Sequence, residues 1–88
     1  MDNISSLTAT PLRKPTMVVT VDWDLLATVE QRRLRELGLD EGVEIEVLHR
    51  SRLGGGPIAC RIGRMTVAMR RSVANAIRVA PALLQAAE

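Results

Sequence analysis

Between Thr28 and His49 the spacing of apolar residues changes from a helical to an extended period within one short stretch. Thr28 with Gln31 three residues later forms a capping-box pattern, which predicts a helix starting near Val29 and running to about residue 37. Gly38 supplies the positive φ that closes a helix, and Leu39 can then fold back onto Leu34. Gly42 closes a second turn after Asp40-Glu41. Beyond it Val43, Ile45 and Val47 point one way and Glu44, Glu46 and Leu48 the other, a half-buried strand.

The flanks repeat the extended period. Met17, Val19, Val21 and Trp23 alternate with Val18, Thr20 and Asp22, which predicts a first strand. Ile58, Cys60 and Ile62 alternate with Ala59 and Arg61, and Met65, Val67 and Met69 form the apolar side of a returning strand. Gly63-Arg64 between them is a two-residue connection with glycine first, which favours a primed turn. Ser72 is placed to cap one helical turn through Asn75, before a last strand from Ala76 to Val79 that Pro81 stops. Residues 1–16, rich in Ser, Thr, Asn and Pro, read as a disordered or loosely held arm. Residues 17–80 form the domain, residues 81–88 a frayed tail, and Gly54-Gly55-Gly56 a mobile loop.

About five short strands, one helix and a helical turn before the last strand predict a mainly β fold. The order fits a small, partly open SH3-like barrel, with an OB-like barrel as the alternative.

Composition narrows the chemistry. The 88 residues contain no Phe or Tyr and one Trp, so the core must be aliphatic. The net charge of +2 is carried almost entirely by arginine, since Lys14 is the only lysine. Cys60 is the only cysteine, which excludes an internal disulfide and fits a reducing compartment. No secretory leader or membrane-spanning run is apparent, and a cytoplasmic location is expected. His49 is the only histidine, and no cluster stands at ligand spacing, so no metal site or cofactor is expected. Cys60 falls on the inward parity and reads as a buried thiol. Ser72 has no positioned base, and the triple glycine precedes a strand rather than a helix, so no enzyme activity is expected.

What remains is surface. Arg32, Arg33 and Arg35 on the helix, Arg50 and Arg52 near the loop, and Arg70-Arg71 after a strand are candidate partner-binding residues. Leu53, apolar at a glycine-rich loop tip, joins them. A solvated charged rim with Leu53 tucked inward gives the same pattern, and the sequence leaves the two open.

One resemblance runs through these segments. Leu34, Leu37, Gly38 and Leu39, the turn at Gly42, Leu53-Gly54 with Pro57, the hairpin at Gly63, Ala68-Met69-Arg70-Arg71 and the closing Ala74, Ile77 and Val79 follow one order and spacing. Together they resemble the FeoA family, small proteins associated with bacterial ferrous iron uptake, over roughly residues 28–79. Glu41 stands where that family commonly has proline, and Met69 replaces its usual leucine. The resemblance implies an accessory protein that binds the cytosolic side of the FeoB-type ferrous iron transporter and modulates it. Homo-oligomers are compatible with it. The alternative is a basic small barrel that binds nucleic acid, or a detached domain of a metal-dependent regulator. Against nucleic acid stand the near-absence of aromatic residues and the small net charge.

Overall fold

Alternation from Val43 to Val47 starts a strand at Glu44–Arg50, and the glycine-first pair makes Ile58–Ile62 and Met65–Met69 a hairpin. The computed structural model, which describes residues 4–51 and 55–82, shows both. In chain order the elements are β1 (Ser5–Ser6), a 3-10 turn (Leu7–Ala9), β2 (Thr16–Val21), a 3-10 turn (Trp23–Leu25), and α1 (Thr28–Glu36). They continue with β3 (Glu44–Arg50), β4 (Ile58–Ile62), β5 (Met65–Met69), α2 (Arg71–Ala74) and β6 (Ile77–Pro81). Every strand pairing is antiparallel, in the order β1-β6-β2-β3-β4-β5, and the sheet is unclosed, with β1 and β5 at its edges.

The local turn chemistry follows the sequence. Gly38 at φ 86° ends α1: its N–H donates to Arg35 O, and Leu39 N–H reaches back to Leu34 O, both at 3.0 Å. That bonding pattern is a Schellman cap, and Leu34 and Leu39 are both buried in the core. Gly42 at φ 87° sits third in the turn closed by Val43 N–H to Asp40 O, and its own N–H donates to Val18 O. Gly63 has φ 61° while Arg64 stays at negative φ, so the β4–β5 turn is the II′ type.

The helix start differs from expectation. Ala27, not Thr28, is the N-cap residue, and the Glu30 carboxylate accepts its N–H at 3.0 Å. Alanine has no side-chain acceptor, so only that half of a capping box forms. Gln31 instead donates Nε2 to the carbonyls of Trp23 and Leu26. Trp23 opens a 3-10 turn rather than extending the first strand. Arg70, not Ser72, precedes the first turn of α2.

β2 corrects the expected parity. Its register against β6 shifts between Val18 and Thr20, which leaves Val19 as an extra residue in a bulge. Thr16, Val18 and Val21 are consequently buried, while Val19 is exposed. A second bulge, between Val47 and His49, places Leu48 as the extra residue of β3 and turns Arg50 to the side of its partner Ile58.

The loose arm expected over residues 1–16 does not describe residues 4–16. β1 pairs with β6, Leu7 is fully buried, and Ser6 Oγ donates to Asn75 Oδ1 at 3.1 Å beside α2. Thr10 is buried with its hydroxyl on Ser6 O, and Arg13 N–H donates to Val47 O at 2.7 Å. The expectation read polarity as solvation. These hydroxyls instead satisfy one another and the backbone, so a polar segment can lie against the sheet. The tail expectation, apart from Pro81 and Ala82, lies outside the described residues.

Leu7, Leu34, Leu39, Ile45, Val47, Ile58, Cys60, Ile77 and Val79 meet in one aliphatic core with Val73 and Ala74 of α2. Burial pushes the Cys60 thiol up from 9.0 to about 11. A cysteine that ionises later when folded favours the folded state at lower pH. That contribution is present below pH 9 and falls away as pH rises toward 11.

Three measurements check this account. Leu7→Ala should cost about 2–5 kcal/mol in urea unfolding, where a loosely held arm would show almost nothing. Gly38→Ala should cost about 1–2 kcal/mol through backbone strain alone. A Cβ there meets no atom within 4 Å. In thermal melts at stepped pH, Cys60→Ala should flatten the loss of stability between pH 9 and 11.

Candidate functional site

Val29 and Arg33 of α1 and its C-cap residue Leu37 stand four residues apart and so share one stripe of the helix. Val29 is 74% exposed, an aliphatic side chain that α1 does not bury. Across from this stripe lie Val67, Ala68 and Met69 of β5, with Arg70 and Val73 at the start of α2. Together they line an open groove of about 360 Å³. Its floor is aliphatic, from Leu34, Leu37, Val67, Met69 and Val73, and Glu30, Arg33 and Arg70 stand along it.

The groove runs beside an unpaired strand edge. Ile62 and Met65 close a two-residue hairpin, so they form a hydrogen-bonded pair, and the ladder then alternates. The N–H and C=O groups of Thr66 and Ala68 therefore point away from β4, where no further strand follows among the described residues.

Among the described residues, the expected partner-binding arginines are distributed over several places. Arg33 and Arg70 come together along the groove. Arg32 and Arg35 lie around a shallow depression with Thr28, Gln31 and Glu36, and the Arg35 guanidinium stacks over the Trp23 ring at 4.3 Å. Arg50 is half-buried, its Nη1 donating to Thr10 O at 2.7 Å, so it ties the N-terminal segment to β3. The bulge at Leu48 explains the difference, since it turns Arg50 off the solvent side. Arg71 is half-buried in α2, and its Nε has no hydrogen-bond partner among the described residues. Arg52 and Leu53 lie outside the described residues.

Among the described residues, no group of three or more His, Cys, Asp or Glu side chains stands close enough to hold an ion. His49 is exposed on β3, and Cys60 is buried with its thiol protonated at neutral pH. No helix of the described residues is long and apolar enough to cross a membrane.

Sequence reasoning missed Val29, Val67 and Ala68 as site residues. Val29 had left a signal, an apolar residue in an otherwise polar first turn. Ala68 had left none, because the free edge of β5 follows from the strand order alone.

The geometry agrees with that of known proteins. The FeoA domain family matches residues 6–81. The crystal structure of Stenotrophomonas maltophilia FeoA, complexed with zinc, is 34% identical over 85% of this chain and 88% of that one, with a TM-score of 0.72. It is described as a procaryotic SH3 domain protein possibly acting as a bacterial ferrous iron transport activating factor. The solution structure of FeoA from Chlorobium tepidum is 30% identical over 88% of this chain and 70% of that one, with a TM-score of 0.75. A manganese-dependent transcriptional repressor shares the fold at 22% identity and a TM-score of 0.77. There 92% of this chain covers 43% of the repressor. No curated protein matches the chain by sequence. The SH3-like fold and the match across residues 6–81 place this chain in the FeoA family.

Proposed function

We propose that the chain is an accessory protein of bacterial ferrous iron uptake, which binds the cytosolic side of a FeoB-type transporter and modulates it without catalysing a reaction. The observation that carries this reading is the FeoA match over residues 6–81, joined to the 34% identical relative described as a possible transport activating factor. The surface supports it. The groove between α1 and β5 is open and aliphatic with cationic groups along it, the composition of a protein contact rather than of a catalytic pocket.

The basic groups give less support to a nucleic-acid reading. Arg50 is engaged internally, and Arg32 and Arg35 lie apart from Arg33 and Arg70. A phosphate backbone calls for a continuous cationic track. The repressor likeness, at 22% identity, bears on the fold alone.

Co-purification checks the reading. The full chain should retain the cytosolic GTPase region of a FeoB-type transporter, and cells lacking the chain should take up ferrous iron more slowly. Leu53→Asp should weaken retention. Absence of binding at tens of micromolar, or uptake that is indifferent to the chain, would overturn the proposal.

A further inference from the structure

We infer that the groove between α1 and β5 takes an extended segment of a partner protein as an added strand on β5, and that this segment alternates aliphatic and acidic residues. This rests on the docking role proposed above and names the surface and the chemistry of its ligand.

Three observations converge on that occupant. The first is backbone chemistry. Thr66 and Ala68 present outward N–H and C=O groups along an edge that no strand of the described residues covers. Exposed edges are usually blunted by brevity, proline or lysine. The other edge, β1, is two residues long, whereas β5 runs for five residues, Met-Thr-Val-Ala-Met, with none of these devices. Only an extended backbone satisfies such groups in register, whereas a helix would leave them unmet.

The second observation is the apolar floor. Leu34, Leu37, Val67 and Val73 line the groove beside this edge, and Val29 stands 74% exposed at its helical wall. A strand added to β5 projects every second side chain to one face. Aliphatic residues at that period would cover the floor and Val29 together.

The third is charge. Arg33 and Arg70 line the groove, and neither has an ion-pair partner among the described residues. The one carboxylate along the groove, Glu30, accepts the Ala27 N–H at the helix start. Two guanidiniums facing a single engaged carboxylate favour Asp or Glu on the incoming segment, because a charge-assisted pair replaces solvation at the groove wall.

The test titrates the full ¹⁵N-labelled chain with an acetylated, amidated heptapeptide alternating Val and Asp, beside a control peptide alternating Val and Lys. The Val-Asp peptide should shift the amides of Thr66, Ala68 and Arg33, and the Val-Lys peptide should bind about tenfold more weakly. The paired substitution Arg33→Glu and Arg70→Glu should remove that preference. Ala68→Pro should abolish binding, because it deletes an outward N–H but no bond to β4. If Ala68→Pro fails to fold, the charge-reversed pair carries the test.

Shifts confined to β1 or to the outer side of α1, equal binding of both peptides, or no shift at millimolar peptide would overturn the inference. So would dimerisation of the free chain through β5, which would make a second copy the occupant. The two proposals fail separately. A transporter fragment retained equally by wild type and by the Arg33→Glu, Arg70→Glu variant sinks this surface and leaves the docking role standing. Selective Val-Asp binding without transporter retention does the reverse.

Discussion

The last strand in the sequence sits inside the sheet. β6 pairs with β1 on one side and β2 on the other, so residues 77–81 must meet residues 5–6 and 16–21 before the sheet is complete. The places of β1 and β2 in the sheet depend on that pairing. Asp22 N–H bonds Ala76 O and Ala82 N–H bonds Pro15 O, which hold both ends of β2 to the flanks of β6. A sheet completed by contacts of such sequence separation incurs a large loop-closure entropy before any burial offsets it. The aliphatic core then has to be continuous, and with no Phe or Tyr in the chain it is filled by many small side chains rather than a few large ones.

Small side chains fill the core only if each strand keeps its phase, and here two bulges reset it. Val19 in β2 and Leu48 in β3 are each one residue more than the partner strand supplies. The first bulge moves Val21 into the core. The second places Arg50 beside Ile58, where its guanidinium can reach Thr10 O. The extra residue thus joins the N-terminal segment to the sheet through a charged side chain. Arg13 N–H adds a backbone bond to Val47 O, made with Arg13 in the left-handed region at φ 59°. That conformation is costly for a residue with a Cβ, and the bond to Val47 O holds it.

The other end of the sheet is organised differently. Among the described residues, β5 has β4 on one side and no strand on the other. α1 is brought near it by the Schellman cap at Gly38 and the turn at Gly42, which together reverse the chain between helix and β3. A short helix beside an open strand edge leaves an aliphatic furrow between them, with Arg33 on one wall and Arg70 on the other. The one thiol of the chain, Cys60, is buried in the core away from this furrow.

The features decided by a few neighbouring residues were legible in the sequence. The helix end at Gly38, the turn at Gly42, the II′ hairpin at Gly63 and the inward parity of Ile45, Val47, Ile58, Cys60 and Ile62 all follow from local φ preference or from period-two alternation. The features decided by partners distant in the chain were not. Whether Val18 or Val19 faces inward depends on β6, some sixty residues away. Whether Ser6 and Thr10 are solvated depends on Asn75 and on the backbone they fold against. Arg50 read as a surface cation because its sequence neighbours are polar, and it became a tie because a bulge turned it toward Thr10. Local backbone energetics set the turns and the caps. Strand order and register, which exist only between segments, decided the core's phase, the anchoring of the first residues and the free edge beside the groove.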